Sequence, residues 1–333
     1  MTDYNCKCAT NSGRDNERGF SGLEFVGYLI VAVVIIGAIF FFPWKEAFKG
    51  KADPSFAAAE LAMTNKQWDQ AIVLYDKAIK ADPSNVLALV GRSRAYLLTG
   101  NTQKALEDAN AAVQKKPDSA LAYGQRGIVF KVLQRSEDAL KDFSDAIKHD
   151  GGYAWAYAQR ADLLSRKKDQ DKALQDVSKA IQAKPGFVEG YRLRAWILSR
   201  MGKCKEAGED FKKVETLSPS DAWSLQDKAW FLLTCPDESL QDSGKAMELA
   251  KKAAELTQGK DGVVLETLAE AYFRQGDPVK AIEIQKKAIE IGSKSCPDGS
   301  CTKEMQQRLQ KYEMAARPEV RIFYEILPVD SSR

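Results

Sequence analysis

An alanine returns at one constant interval through the middle of the chain, at Ala71, Ala105, Ala139, Ala173 and Ala207. Apolar or small positions follow each one at helical spacing: Tyr75 and Ala78, Ala109 and Ala112, Phe143 and Ala146, Val177 and Ala180, Phe211 and Val214. That spacing predicts an amphipathic helix in every period, with its apolar stripe turned to a core. Pro83, Pro117, Pro185 and Pro219 close four of these helices, and Gly151 stands at the remaining place. A small residue precedes each alanine at a fixed offset: Ala59, Ser93, Gly127, Ala161 or Ala195. Such a residue lets a preceding helix pass close. One helix pair per period builds a solenoid in which each unit covers its neighbour's apolar face.

A different pattern precedes the repeats. Residues 25–42 read FVGYLIVAVVIIGAIFFF without a charge. About 20 apolar residues span a hydrocarbon core of about 30 Å, and Leu23, Pro43 and Trp44 extend the run to that length. Trp44 suits an interfacial belt, and Lys45, Lys49 and Lys51 suit headgroups. Lys7, Arg14 and Arg18 lie on the other side, so the positive charges do not fix an orientation.

The pattern A-x3-F-x2-A-x4-P, recurring at a period of about 34 residues, resembles the tetratricopeptide repeat (TPR). The resemblance implies an all-α fold, a right-handed superhelix of helix pairs. Here a single transmembrane helix precedes it. Two looser units continue the array. Ala229 with Ala246, Ala250 and Ala253 forms a sixth, with extra residues around Cys235, Pro236 and Asp237. Ala269, Tyr272, Ala281 and Ala288 form a seventh. Residues 231–277 resemble the C-terminal units of large bacterial TPR proteins. The expected organisation is a polar N-terminal segment (1–19), a transmembrane helix (20–44), a linker (45–53), a TPR array of about seven units (54–291), a Cys loop (292–301), a capping helix (302–316) and a tail (317–333).

The start of the apolar run also resembles the processing site of type IV and Flp-type prepilins. Gly19, Phe20 and Glu24 match that pattern, and Gly22 departs from it. The match implies cleavage after Gly19, the alternative to an uncleaved anchor.

The TPR register places Trp155, Glu189, Arg192, Trp196, Trp223, Gln226 and Trp230 on the concave side of the first helices in units four to six. Aromatic residues and arginine anchor binding surfaces, so these are the candidate partner-binding residues. Tyr123, Tyr157 and Tyr191 recur at the repeat period and read as packing. The positions of a chaperone-tail clamp hold Phe56 and Glu60 in the first unit and Gly124 and Ile128 in the third, which disfavours that ligand class. Arg92, Arg126, Arg160 and Arg194 recur at the same period, each followed at one fixed offset by Asp108, Asp142, Asp176 or Asp210. Matched acids point to structural ion pairs rather than to a basic ligand ladder. Lys228 continues the basic series.

Cys296 and Cys301 bracket a Pro-Asp-Gly turn and form a candidate disulfide. Cys204 and Cys235, in or near inter-helix turns, are a second pair able to meet. A disulfide implies an oxidising compartment. The cysteine spacings do not make a metal site, and Cys6 and Cys8 carry no argument of their own.

Charge excludes little except nucleic acid: 49 basic residues face 46 acidic ones. His149 is the single histidine, and no nucleotide-binding or hydrolase motif is present. No cofactor, metal, catalytic residue or small-molecule substrate is expected. The reading is a non-catalytic scaffold that binds a protein or peptide in its groove. It is anchored in a bilayer through residues 20–44, in a bacterial inner membrane with the array extracytoplasmic. It serves envelope assembly, secretion or a related complex. The alternatives are a pilin-like component and an enzyme with an unrecognised site.

Overall fold

The computed structural model describes residues 54–295 and 302–317. The apolar run, Gly19, Phe20, Glu24, Cys296, Cys301 and the tail lie outside the described residues. Among the described residues no helix is long and apolar enough to cross a membrane. They form fifteen α-helices, one short 3₁₀ turn and no strand. Two compact units divide the chain near residue 118.

The first unit holds α1 (Pro54–Thr64), α2 (Trp68–Ala81), α3 (Val86–Leu98) and α4 (Thr102–Lys115). The second holds α5 (Ala120–Val132), α6 (Ser136–His149), α7 (Ala154–Arg166), α8 (Gln170–Ala183), α9 (Val188–Arg200), α10 (Cys204–Leu217) and α11 (Ala222–Thr234). It continues with α12 (Ser243–Leu256), α13 (Gly262–Arg274), α14 (Pro278–Ser295) and α15 (Lys303–Ala315). Odd-numbered helices through α13 are the first helices of each pair, and even-numbered helices are the second.

The repeat alanines explain the stacking. Ala71, Ala105, Ala139, Ala173 and Ala207 are all fully buried, where any larger side chain would separate the paired helices. The small residue of the first helix receives the ring of the second. A Cβ on Gly127 would lie 2.7 Å from the ring of Phe143, which is itself fully buried. Gly127→Ala therefore destabilises by roughly 1–2 kcal/mol, overpacking outweighing the gain in helix propensity. Denaturant titration checks this, and a stabilised variant would contradict it.

Six of the seven pairs turn at one left-handed residue, the exception being α11–α12. Gly100 (φ 81°), Gly202 (φ 74°) and Gly276 (φ 81°) sit there in three, while Lys66, Gln134 and Lys168 adopt φ of 58°, 59° and 65° in the other three. Only glycine takes this conformation without steric cost. The sequence period is therefore held by backbone hydrogen bonds as well as by residue type: Arg135 N–H donates to Phe130 O at 2.8 Å, and Lys203 N–H to Leu198 O at 2.9 Å. Several second-unit helices start on side-chain caps, among them Ser119 on Ala122 N–H and Asp221 on Ser224 N–H.

Between α11 and α12 the period is broken by an insertion containing the 3₁₀ turn Glu238–Leu240. A disulfide anchors its start. Cys204 opens α10 and Cys235 follows α11, with Cα atoms 6.3 Å apart and both side chains buried. The pair lies in a cluster with Ala195, Leu198, Ala207, Phe211 and Phe231.

Candidate functional site

The repeated arginines are held by their aspartates. Arg92 Nε donates to Asp108 at 2.8 Å, and Arg126, Arg160 and Arg194 Nε donate to Asp142, Asp176 and Asp210 at 2.7, 2.7 and 2.8 Å. Nη2 of each bonds the second carboxylate oxygen, making a bidentate fork across two paired helices. These bonds, first among the causes, raise the pKa of all four arginines. In the second unit each guanidinium also lies over the tyrosine one turn earlier: Arg126 over Tyr123, Arg160 over Tyr157 and Arg194 over Tyr191, at 5.4, 5.8 and 5.6 Å. Lys228 instead reaches Glu215.

A second polar ladder joins successive first helices. Lys131 Nζ on α5 reaches Asp162 Oδ2 on α7 at 2.6 Å and Gln159 Oε1 at 2.9 Å. Arg192 on α9 reaches Asp227 on α11 at 2.7 Å from Nε and 2.5 Å from Nη2. Gln226 Nε2 on α11 donates to Thr267 Oγ1 on α13 at 2.9 Å. Asp162 is pulled below the ordinary carboxylate value by Lys131 and Arg166, against its burial. The spacing of these pairs departs from the constant offset of the intra-unit forks, so the repeat pattern alone does not reveal them.

The aromatic candidates sit on this framework. Trp155 is half-buried, stacked on Tyr153 at 5.8 Å and edge-on to Phe143 at 6.1 Å. Trp196 is half-buried, with the Arg200 guanidinium 4.7 Å from its ring centroid. Trp223 and Trp230 are also half-buried, and Arg308 from α15 lies 4.5 Å from the Trp230 ring. Glu189 is exposed near the start of α9. Gln226 is buried, and Arg192 is engaged by Asp227. The seven candidates therefore divide: a carboxylate and four rings keep some accessible surface, while Arg192 and Gln226 tie first helices together.

Residues that sequence reasoning did not single out complete the face. Glu266 and Glu270 on α13 precede and follow Ala269 as Arg192 and Trp196 flank Ala195, and as Gln226 and Trp230 flank Ala229. They are almost fully buried under α15. Arg308 Nη1 donates to Glu266 Oε1 at 2.9 Å, and the Tyr312 hydroxyl to Glu270 Oε2 at 2.8 Å. Arg274 Nε also reaches Glu270, at 2.8 Å.

Burial pushes the Glu266 carboxyl up to about 7, with Glu304 and Glu270 adding to the rise and Arg308 opposing it. A carboxyl raised on folding takes up a proton more readily in the native state. Its contribution to stability is full below the unfolded value and is lost as pH climbs through about 7. From pH 5 to pH 8 the C-terminal helices should lose roughly 3 kcal/mol through this group. Comparing denaturation midpoints of the wild type and Glu266→Gln checks it; equal pH slopes in the two proteins would contradict it.

Among the described residues no group of three or more His, Cys, Asp or Glu side chains is arranged to hold a metal.

Models of the tetratricopeptide repeat match residues 56–120, and residues 156–187 and 264–292. The tetratricopeptide repeat and J domain-containing co-chaperone DNJ1 of Fusarium oxysporum f. sp. lycopersici is 42% identical over 52 residues, 16% of this chain and 10% of that protein. The chain thus spans about a tenth of the curated relative it matches. A tetratricopeptide repeat protein from Parabacteroides merdae aligns over 79% of this chain and 98% of its own, with a TM-score of 0.58 and 17% identity. A chain of the APC/C hetero-tetramer Cut9–Hcn1 aligns over 84% of this chain and 57% of its own, with a TM-score of 0.59 and 14% identity. At such identities the likeness is one of fold. Each of the two units is an all-α stack of helix pairs, with tetratricopeptide repeats at residues 56–120, 156–187 and 264–292.

Proposed function

We propose that the protein is a membrane-anchored scaffold that holds a protein or peptide partner against the first helices α7, α9 and α11. The carrying observation is the row of half-buried rings, Trp155, Trp196 and Trp223, on a framework whose internal charges are already paired. A face of that kind recognises a ligand by aromatic and apolar contact. Arg200, stacked on Trp196, and the exposed Glu189 supply charges of opposite sign on α9. Repeat solenoids use their inner faces as extended binding surfaces.

The anchor is the charge-free run of residues 25–42, whose sequence has the length and composition of a membrane span. We place the array on the extracytoplasmic side of a bacterial inner membrane, in envelope assembly, secretion or a related complex. The buried Cys204–Cys235 bridge supports that side, because such bonds persist in oxidising compartments. A second reading, a pilin-like component processed after Gly19, is favoured by Gly19, Phe20 and Glu24 alone.

Side and processing are tested together. A cysteine introduced at the exposed Lys213 on α10 is treated with a membrane-impermeant maleimide in intact cells, and the labelled chain is mass-mapped. Labelling before lysis is the expected result; labelling only after lysis puts the array in the cytoplasm and overturns this placement. A mature chain beginning at Phe20 favours the pilin-like reading, and one retaining the preceding residues favours an uncleaved anchor.

A further inference from the structure

Helix α15 is held to the array by polar groups as well as by two buried side chains, Met305 and Tyr312. Besides the Arg308–Glu266 and Tyr312–Glu270 bonds, Gln285 Nε2 donates to Met305 O at 2.9 Å. The Tyr312 ring stacks on Phe273 at 4.7 Å, and Lys311 lies over the same ring at 4.6 Å. Only Met305 and Tyr312 of this helix are in the core, and Met314 is 61% exposed. To the same core cluster α13 contributes Val264, Leu265, Leu268, Ala269 and Ala271.

That difference matters energetically. A buried ion pair adds little net stability, because desolvation offsets most of the attraction. Elements with few buried apolar contacts open first. The position of α15 matters as well. Glu266, Glu270 and Trp230 occupy the register of the partner-facing residues in α9 and α11, so α15 lies on the continuation of that face and presents Arg308 and Tyr312, one turn apart, to two carboxylates and an indole.

We propose that α15 is a displaceable self-ligand, and that the α11–α13 surface beneath it accepts a helix of a protein partner bearing an arginine followed one helical turn later by a tyrosine. Charge decides the occupant. Glu266 and Glu270 are 1% and 3% exposed, and such carboxylates need a cation and hydrogen-bond donors. Gln226 Oε1, one turn before Trp230, is buried and bonded to no protein donor. A partner helix that supplies one gains a contact α15 does not make. The proposal extends the binding face described above but stands on α15 alone, and holds even if Trp155, Trp196 and Trp223 bind nothing.

Two measurements on the full chain test it. In hydrogen–deuterium exchange, α15 amides should exchange at least about tenfold faster than those of α13 and α14, as a locally opening element does. Exchange at a common rate would overturn the proposal. Second, a fluorescent peptide of residues 302–317 is titrated into wild-type protein and into Arg308→Ala. The variant, with its own helix loosened, should bind at least about tenfold more tightly, and a peptide carrying the Arg308→Ala change should not bind. Equal or absent binding in both proteins would overturn the proposal. So would loss of exchange protection throughout α11–α14 in Arg308→Ala, which would make α15 a structural cap.

Discussion

Replacing Asp142 with alanine should lower stability by roughly 3–5 kcal/mol, the cost of removing the carboxylate that forks a part-buried guanidinium. Asp142 is 2% exposed and accepts both fork hydrogen bonds of Arg126, at 2.7 and 2.8 Å. The guanidinium is enclosed by Tyr123 and Phe130, with ring centroids 5.4 and 5.7 Å away. Replacing both partners, as Arg126→Met with Asp142→Leu, should cost far less, because no charge is then left buried. Asp108→Ala leaves Arg92 a second carboxylate, since Asp76 remains 3.0 Å away. Urea titration of the four proteins measures these differences. A change below about 1 kcal/mol in Asp142→Ala would show the fork to be dispensable.

Breaking the Cys204–Cys235 bridge has the next largest expected effect. The cysteines are 31 residues apart in sequence, and opening a loop of that length costs about 4 kcal/mol in the chain-entropy account. The loss should centre on α10 and α11, where Phe211 and Phe231 lie 5.1 Å apart beside the bridge. Adding reductant should lower the thermal midpoint of the wild type and leave Cys204→Ala/Cys235→Ala unchanged. A wild-type midpoint indifferent to reductant would mean that the thiols are free in solution, and would remove the main structural support for an extracytoplasmic array.

The helix pairs were legible in sequence because their packing constraint repeats. Ala71 and its four successors are fully buried, and a side chain at Gly127 would press on the Phe143 ring. The Arg–Asp forks were legible for the same reason: a fixed offset within each unit sets two side chains against each other. Contacts between units were not, because their offsets vary. Arg192 reads as a partner-facing cation until Asp227, 35 residues on, is placed beside it. The insertion after Cys235 lengthens the period and hides that Glu266 and Glu270 share the register of Gln226 and Trp230. The cation bonded to Glu266 is 42 residues away on a helix outside the repeat. Cysteine pairing was legible in part, since Cys204 and Cys235 lie in or near inter-helix turns and are able to meet. The short interval from Cys296 to Cys301 suggested a bridge in a loop that lies outside the described residues, whereas the bridge observed joins Cys204 and Cys235 across a unit boundary.

The central claim is that a partner lies on the first-helix face of α7, α9 and α11. A photo-activatable phenylalanine analogue placed at Trp196 or Trp223 in the full-length protein tests it most directly, with Lys213 on the exposed side of α10 as the reference position. Irradiation of intact cells should give one and the same crosslinked species from both tryptophan positions and none from Lys213. The Trp196→Ala change should abolish that species when the probe is at position 223. Identical crosslinking from all three positions, or none from the tryptophan positions, would contradict the account.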